Sequence, residues 1–428
     1  MALKQNSVTQ VDTFSGTGGL DARLKEAQAR VRRPMLGIFF SHPTQHHSAM
    51  FQYLAKAEGL EVQVYYYDPG SLGGMFDPGY GTDSAWDVDL TSGTQARVLG
   101  NILRGREVHP FRQVNPGVVP VMLRGGFDAI LLSGYASPSN WLVVSLARIT
   151  KTAIWYQSDT NILDMRQKET SRLKDLLRRM FFRNVNMFLL AGDNNKAAYQ
   201  HFGIGEERMV WCPIPVDMSR YTNARLDPEL PQKLRALREK YRIPETARIV
   251  AFCGKLIERK RPQDLVEALR IVGGDDTYGL LIGSGEMESA LRKTLTSEDR
   301  IVITGFVNQS EIPYHMLLAE IGIVSSEWDP HPLVTTEFAM CARPVIVSEY
   351  CGVWGPHDIL RPGVNGFLYR CGDVHELATQ ISRLLDDDEL RRSMGQQSLR
   401  LAEEQSAEHA ANVVAGLLRR SAGTNRDL

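Results

Sequence analysis

The sequence predicts an α/β protein built from two doubly wound domains, each with a parallel sheet covered by helices on both faces. The chain has 428 residues, which is more than one ordinary hydrophobic core requires. Short apolar runs such as "RIVAFCG" (248–254) alternate with longer amphipathic segments. These runs are apolar throughout rather than alternately apolar and polar, which is typical of parallel strands buried on both faces.

The apolar runs form two series of five, separated by the prolines of "CPIPVD" (212–217). The runs of the first series occupy 35–40, 62–67, 128–134, 152–157 and 186–192, and those of the second occupy 248–254, 278–285, 300–306, 320–326 and 343–349. We therefore predict four regions. They are a polar N-terminal arm at 1–30, a first domain at 31–213, a second domain at 214–400, and a terminal helical segment at 401–428 that crosses back to the first domain.

The composition narrows the class of protein. A formal net charge of −1 gives no electrostatic reason to expect a nucleic-acid partner. Five cysteines without a CxxC pair argue against a disulfide framework or a zinc site and favour a reducing compartment. The N-terminus lacks the apolar core of a signal peptide, and no run approaches the roughly 18 apolar residues that span a bilayer. We expect a soluble, cytoplasmic protein.

Ligands of doubly wound sheets bind beyond the carboxyl ends of the strands, so the loops after the strands of the second domain are the candidate site. The first loop, "CGKLIERKRP", has Gly254 for the turn and then Lys255 and Lys260, five positions apart. Two ammonium groups in such a loop can neutralise the charge that grows on a departing diphosphate. The alternative is a pair of solvated lysines at the start of a helix.

The second and third loops add small and apolar residues. Gly283, Ser284 and Gly285 follow a strand and permit close approach of a phosphate to the helix start. The third glycine of the dinucleotide fingerprint is missing, so a nicotinamide cofactor is not predicted. Phe306 and Val307 end the next strand, where they flank a nucleobase or belong to the core.

The fourth loop, "SSEWDPHPLVTTEFAMCARPVIVSE", spans 325–349. Pro332 suits the first position of a helix that we predict to end near residue 341, because proline lacks the N–H that would be unsatisfied there. The first-turn amides of Leu333 and Val334 would point at an anion, with the helix dipole behind them.

Two carboxylates flank that predicted anion. Glu337 lies one turn below Leu333 on the same helix face, and Asp329 lies before the helix, on the far side of the anion. Carboxylates are poor ligands for phosphate but good acceptors for hydroxyl groups at the two ends of a diphosphate. That arrangement suits a nucleotide sugar.

From about residue 248 to 395 the sequence resembles the donor-binding domain of retaining GT-B glycosyltransferases of family 4, the glycosyl transferases group 1 domain. The pattern comprises a basic pair, a Gly-x-Gly, a "TGF" strand end, an acidic pair that brackets seven residues, "AMCARPVI", and "LRPGVNGFLYRCGDVHELATQI". Its members here are Lys255 and Lys260, Gly283 and Gly285, Thr304–Phe306, Asp329 and Glu337, 339–346, and 360–381. The resemblance implies the GT-B fold, in which two Rossmann-like domains face each other across a cleft.

The resemblance also implies a metal-independent, retaining glycosyltransferase that needs no cofactor beyond its nucleotide-sugar co-substrate. The two lysines would grip the donor diphosphate, Glu337 the ribose, Asp329 the transferred sugar, and the backbone of His331–Val334 the phosphate and sugar. A UDP-sugar is favoured, with GDP- and dTDP-sugars as alternatives. The acceptor would be a hydroxyl or amine of a small molecule, glycan or lipid. Asp329 replaces the usual glutamate, and Lys255 replaces an arginine whose bidentate fork a lysine cannot form.

The first domain matches the family in layout only and is expected to bind the acceptor. Its first loop, "FFSHPTQHHSAM", directs Thr44, Gln45 and His46 toward the cleft, where a histidine can accept a proton or bind a hydroxyl. Tyr135 follows "AILLSG", where many family members have a histidine. Asp159 follows "AIWYQ" and either lines the acceptor side or caps a helix.

Two segments of the first half admit a second interpretation. Asp87 and Asp89 have the spacing of the metal site of GT-A glycosyltransferases, but they lie in a loop-rich stretch, so we predict a turn and no metal. Residues 165–183 combine leucines with arginines and lysines. This segment either docks on an anionic membrane surface or packs on the sheet with a solvated basic face.

Three other functions are alternatives for the same motifs. A nucleotide-sugar epimerase or hydrolase needs the donor site and no acceptor. A catalytically silent sugar-nucleotide binding subunit is suggested by Asp329 and Lys255, which depart from the family pattern. An NAD-dependent oxidoreductase is disfavoured by the absence of GxGxxG.

Overall fold

The computed structural model describes residues 32–70, 75–77, 82–84, 87–103, 109–167 and 171–424. The predicted N-terminal arm at 1–30 lies outside the described residues. Over the described ranges, no helix combines the length and the apolar character needed to cross a bilayer.

The first domain is built on a seven-stranded parallel sheet with the order β5-β2-β1-β6-β7-β8-β9. Its strands are β1 (Met35–Phe40), β2 (Glu61–Tyr66), β5 (Ala96–Val98), β6 (Ala129–Leu132), β7 (Ala153–Gln157), β8 (Met187–Leu190) and β9 (Met209–Trp211). Strands β3 (Met75–Asp77) and β4 (Thr82–Ser84) form a separate antiparallel hairpin. The apolar runs of the first half therefore became five of the sheet's strands.

Helices cover both faces of this sheet. They are α1 (Gln45–Lys56), α2 (Val118–Gly125), α3 (Pro138–Thr150), α4 (Ile162–Gln167), α5 (Arg172–Phe182) and α6 (Asp193–His201), with short 3-10 helices at Pro110–Arg112 and Glu206–Arg208. Helix α1 packs on one face with Leu36 and Ile38, while α2, α3, α5 and α6 pack on the other with Phe39. Successive side chains of β1 thus point to opposite cores, which explains its unbroken apolar run.

The second domain has a six-stranded parallel sheet with the order β12-β11-β10-β13-β14-β15. Its strands are β10 (Arg248–Cys253), β11 (Thr277–Ile282), β12 (Ile301–Ile303), β13 (Ile321–Val324), β14 (Val345–Ser348) and β15 (Gly366–Tyr369). The connector, which runs from the end of β9 to the start of β10, carries α7 (Met218–Arg225) and α8 (Leu230–Tyr241). The helices that follow in the second domain are α9 (Gln263–Val272), α10 (Glu288–Thr294), α11 (Ile312–Leu318), α12 (Val334–Met340), α13 (Val374–Asp386) and α14 (Asp388–Glu403).

The chain ends in helix α15 (Ala407–Thr424), which packs against the first domain. Apolar side chains recur along it at helical spacing and enter the core that contains Leu36, Ile38 and helix α1. They are Ala407, Ala410, Ala411, Val414, Ala415, Leu417 and Leu418. The last helix therefore completes the first domain, although the second domain lies between them in sequence.

Hydrogen bonds join the two domains beside the carboxyl ends of their strands. The Asn161 side-chain amide donates to the backbone oxygen of Pro330 at 2.9 Å. The Asp193 backbone N–H donates to the Asp358 carboxylate at 2.9 Å, and the His357 backbone N–H donates to the Asp193 carboxylate at 2.7 Å. These contacts place the loops that follow β7 and β8 opposite those that follow β13 and β14. The prediction of two doubly wound domains facing across a cleft is confirmed.

Candidate active site

A cavity of about 320 Å³ lies between the two domains. Its walls come from the start of α1, the loop after β10, the start of α11, and the loop after β13 with α12. The lining residues are Gln45, His46, Cys253, Gly254, Lys255, Arg259, Lys260, Gln309, Ile312, Asp329, His331, Pro332, Leu333, Val334 and Glu337. All four predicted catalytic residues lie in this set.

Lys260 and Asp329 form an ion pair in the cavity wall. Lys260 ends a 3-10 turn (Glu258–Lys260), and its ammonium donates to the carboxylate of Asp329. The Ser325 hydroxyl donates to the backbone oxygens of Lys260 and Arg261 at 2.9 and 2.8 Å, which holds this turn against the end of β13. The two charges predicted to serve different parts of a donor therefore contact each other directly.

Arg259 is a third cation of this wall, and the sequence analysis did not select it. Its guanidinium lies 4.5 Å from the centre of the Trp328 ring and donates to the Trp328 backbone oxygen at 2.9 Å. Lys255 lines the same cavity from the start of the loop. The residue was missed because one arginine in a basic loop is most often a solvated side chain, and only its place above Trp328 directs it inward.

Glu337 lies on α12 and is 7% exposed. Burial raises the pKa of Glu337, while the positive charge of Arg220 and, to a smaller degree, the Tyr221 hydroxyl act in the opposite direction. The predicted helix start at Pro332 is two residues early, because α12 begins at Val334. The Thr335 N–H donates to the Pro332 oxygen at 3.0 Å, so the chain enters the helix through a tighter turn.

Gly283 and Gly285 are required by contacts between loops. A Cβ at Gly283, where φ is +141°, would lie 2.0 Å from the Gly254 backbone oxygen, and one at Gly285 would lie 2.4 Å from the Leu256 oxygen. The Ser284 oxygen accepts from the Leu256 N–H at 2.9 Å. Gly254 lines the cavity, whereas residues 283–285 are not among the lining residues. Their small size lets the second loop support the first.

Phe306 and Val307 follow β12 and are partly buried. Val307 packs against the core of the second domain, and neither residue is among those that line the cavity. The structure therefore places Val307 against the core, and a contact of Phe306 with a nucleobase stays a prediction.

Two histidines enter the cavity from opposite domains. Burial lowers the pKa of His46 to about 3, with further lowering by Arg220, and lowers the pKa of His331 to about 4. Both imidazoles are therefore neutral near pH 7. The Nδ1 atom of His46 is buried and has no hydrogen-bond partner within the described ranges. Gln45 also lines the cavity, whereas Thr44 caps α1 by accepting from the His47 N–H at 3.4 Å.

Tyr135 and Asp159 lie outside the set of lining residues. The Arg178 guanidinium lies 4.9 Å from the centre of the Tyr135 ring, which holds that ring beside helix α5. The Asp159 side chain is accessible to water, yet the surrounding protein raises its pKa, and the negative charge of Asp329 adds to the rise. Asp159 is thus within electrostatic reach of Asp329 from the other domain.

Asp87 and Asp89 are engaged in separate contacts. The Asp87 carboxylate accepts from the backbone N–H of Ser310 at 3.2 Å and from its hydroxyl, so it joins the two domains. The Asp89 carboxylate accepts from the backbone N–H groups of Thr91 and Ser92 at 2.9 Å each. Among the residues the structure describes, no three His, Cys, Asp or Glu side chains are grouped as metal ligands.

Arg220 and Gln309 were also missed by the sequence analysis. Arg220 lies on α7, in the connector between the domains, and donates to the Gln309 side-chain oxygen at 2.6 Å. Its charge reaches both Glu337 and His46. A connector residue follows no strand of either sheet, so the search of loops at strand ends could not find it.

Comparisons with known proteins agree with this architecture. Residues 235–400 match the family model described as "Glycosyl transferases group 1". N-acetyl-alpha-D-glucosaminyl L-malate synthase of Bacillus anthracis is 31% identical over 166 residues, which are 38% of this chain and 42% of that protein. Alpha-D-kanosaminyltransferase of Streptomyces kanamyceticus is 28% identical over 189 residues, or 43% and 48% of the two chains. The chain thus spans about half the length of the curated relatives it matches.

The structural comparison extends over both domains. HepE of Anabaena, solved in complex with UDP, superimposes with a TM-score of 0.70 over 90% of this chain and 100% of that one, at 17% identity. WaaG, described as a glycosyltransferase involved in lipopolysaccharide biosynthesis, gives a TM-score of 0.62 over 90% and 99% at 15% identity. Residues 235–400 therefore resemble the glycosyl transferases group 1 family, and the two facing domains have the GT-B fold.

Proposed function

We propose that this chain is a metal-independent, retaining glycosyltransferase that moves a sugar from a nucleoside diphosphate to a hydroxyl or amine acceptor. The observation that carries the proposal is the grouping of cations with two carboxylates in one cavity between the domains. Lys255, Arg259 and Lys260 supply positive charge for a diphosphate, while Asp329 and Glu337 supply acceptors for hydroxyl groups.

In the proposed complex, the donor lies along the wall formed by the second domain. Lys255, Arg259 and Lys260 neutralise the diphosphate, Glu337 accepts from the ribose hydroxyls, and Asp329 accepts from hydroxyls of the transferred sugar. UDP is the favoured nucleotide, with GDP and dTDP as alternatives. Structural neighbours solved with UDP and with UDP-glucose support UDP as the favoured nucleotide.

The proposed reaction occurs on one face of the sugar. The bond between the anomeric carbon and the diphosphate oxygen breaks, and its electron pair goes to the diphosphate. The acceptor oxygen or nitrogen forms the new bond from the same side, and its proton passes to the departing phosphate oxygen. The three cations lower the energy of the charge that appears on the diphosphate, which is the part of the barrier they can reduce.

The first test is calorimetry with UDP-, GDP- and dTDP-sugars, followed by transfer assays on candidate acceptors with NMR of the anomeric product. Transfer with the anomeric configuration kept is the expected result. Donor consumption that does not depend on an acceptor would indicate a hydrolase or epimerase instead. Tight donor binding without turnover on any acceptor would indicate a silent binding subunit.

Metal independence is tested separately by adding EDTA to the transfer assay. No loss of rate is expected, because the lysines and Arg259 neutralise the diphosphate. A strict requirement for Mn²⁺, together with loss of the Mn²⁺-dependent activity in an Asp87→Ala variant, would contradict the proposal.

We also propose that α5 contacts an anionic membrane surface. Leu173, Leu176 and Met180 on this helix are 64, 54 and 45% exposed, and Arg172 and Lys174 beside them are exposed too. An apolar face bordered by cations suits the headgroup region of anionic lipids. The predicted segment began at residue 165, but residues 168–170 lie outside the described ranges, and the exposed face belongs to α5.

This contact is tested by sedimentation with phosphatidylglycerol vesicles and with neutral phosphatidylcholine vesicles. Binding to the anionic vesicles alone, weakened in Leu176→Asp, is expected. Equal recovery of wild type and variant with both lipids would contradict it.

The described cysteines, all free, support placing the enzyme in the reducing cytoplasm.

A further inference from the structure

Tyr221 has a buried hydroxyl that is left without a hydrogen-bond partner in the described structure. The residue lies on α7, in the connector, and is fully buried. Its ring packs in the same core as Phe338 and Met340 of α12, the helix that carries Glu337. Buried polar groups are nearly always hydrogen-bonded, so a phenol at this place needs an explanation beyond packing.

The hydroxyl of Tyr221 lies near the carboxylate of Glu337, which lines the cavity, and each group shifts the pKa of the other. Arg220, the preceding residue, is held by Gln309 at 2.6 Å and by Asp217 at 3.5 Å, and it faces the same carboxylate. The thiols of Cys253 on β10 and Cys341 after α12 are the other titratable groups whose interaction with Glu337 the structure records. A phenol, a guanidinium and two neutral thiols thus surround the acceptor.

A phenylalanine would fill the same volume without burying an orphan hydroxyl. The buried, unpartnered hydroxyl therefore lowers the stability of the fold. Its role must be something other than packing in the hydrophobic core. Glu337 is a nearby acceptor, and one carboxylate has enough lone pairs for a phenol on one oxygen and ligand hydroxyls on the other.

We propose that Tyr221 is a positioning residue that donates its hydroxyl proton to one Glu337 oxygen and so directs the other oxygen to the ribose of a bound nucleotide. This inference rests on the proposed function. It adds that the connector helix α7, rather than either sheet, orients the carboxylate that recognises the nucleoside. Arg220 supports the same geometry by placing a positive charge beside the carboxylate.

The test compares the wild type with Tyr221→Phe by calorimetry, using UDP-glucose, or GDP- or dTDP-glucose if either binds more tightly. We expect roughly tenfold weaker binding at pH 7.5, the effect of one hydrogen bond to a charged group. Binding should also fail at a higher pH on acidification than in the wild type, because the phenol helps to keep Glu337 ionised. The melting temperature of the ligand-free protein should stay equal or rise, since the Tyr221 hydroxyl has no hydrogen-bond partner there in the described structure.

Two further measurements separate this role from packing. Tyr241→Phe is the matched control, because its hydroxyl lies 2.9 Å from the His315 ring in the same domain. It should lower the melting temperature and leave nucleotide affinity unchanged. With 2′-deoxy-UDP at fixed pH, the difference between wild type and Tyr221→Phe should shrink, because the ribose hydroxyl that Glu337 would bind is gone.

The inference is overturned if Tyr221→Phe binds the nucleotide sugar with wild-type affinity and pH dependence while Glu337→Ala binds it weakly. That pattern would leave the proposed function standing. If the wild type binds none of the three nucleotide sugars, the proposed function itself is wrong, and this role of Tyr221 is wrong with it.

Discussion

The Lys260 ammonium is paired with the Asp329 carboxylate in the wall of the interdomain cavity, with 18 and 10% of the two side chains exposed. A diphosphate that binds Lys260 must therefore compete with Asp329 or share the cation with it. Because both groups are largely withdrawn from water, the pair is also a structural contact of the loops after β10 and β13. The first two predictions separate these roles.

Lys260→Ala should reduce sugar transfer by at least about 100-fold, since it removes a cation from the departing diphosphate. It should also lower the melting temperature by several degrees, because Asp329 is left partly buried without its partner. Product formation and thermal unfolding measure the two effects. Arg370→Ala is the control, because Arg370 is 73% exposed and its ion pair with Asp373 lies on the surface. A Lys260→Ala protein with the transfer rate of the control would contradict the assignment.

Asp329→Asn should bind free UDP a few-fold more tightly and yet transfer sugar more slowly. The amide no longer holds Lys260 by charge, so the cation is released for the diphosphate. The amide is also a weaker acceptor for the hydroxyls of the transferred sugar. Calorimetry with UDP and steady-state kinetics measure the two changes. Weaker UDP binding in this variant would show that the ion pair organises the diphosphate site instead of competing with it.

Glu337→Ala should lower the affinity for nucleotide sugar and reduce transfer by about 100-fold or more while the fold persists. Arg220 keeps its ion pair with Asp217 when this buried carboxylate is removed, so the melting temperature should change little or rise. Circular dichroism and calorimetry provide the measurements. Turnover and affinity equal to those of the wild type would remove Glu337 from the site.

His46→Gln should lower the transfer rate by roughly tenfold without changing the shape of the pH–rate profile. Burial holds the pKa of His46 at about 3, so the neutral imidazole does not change charge between pH 5 and 8. We therefore expect His46 to act as a neutral hydrogen-bonding group. The exposed His375 on α13 provides the control variant His375→Gln, which should match the wild type. If the wild-type pH–rate profile has an inflection near pH 6.5 that is lost in His46→Gln but kept in His375→Gln, His46 would instead be a titrating base.

Asp358→Asn should make stability less dependent on pH. Burial raises the pKa of Asp358 to about 8, and the nearby carboxylate of Asp193 from the first domain adds to the rise. The folded state then keeps a proton that the unfolded state releases above about pH 4, so stability falls as pH rises toward 8. An asparagine cannot ionise, and its melting temperature should exceed that of the wild type by several degrees at pH 8.5. Parallel curves of melting temperature against pH for the two proteins would contradict this.

Much of the site followed from the sequence because parallel strands end at the same edge of a sheet. Lys255, Lys260, Asp329 and Glu337 follow different strands, yet their loops meet in one cavity, as the strand-end rule predicts. The order of the loops was enough to group them, without any knowledge of distances. The unbroken apolar runs likewise predicted parallel strands with helices on both faces.

The contacts among those side chains required the tertiary structure. The pairing of Lys260 with Asp329 joins residues 69 positions apart, and the contact of Gly283 with Gly254 depends on how two loops stack. Arg220 and Tyr221 reach the site from the connector, where no strand end marked them. The neutral state of His46 depends on how much protein surrounds it.

Hydrophobic periodicity and strand order are local properties of the chain, so residue order is enough to predict which loops carry the candidate site. Which charges pair and which polar groups are buried follows only from the three-dimensional fold. Electrostatic and desolvation energies depend on distance and surroundings in three dimensions, and neither quantity is written in residue order.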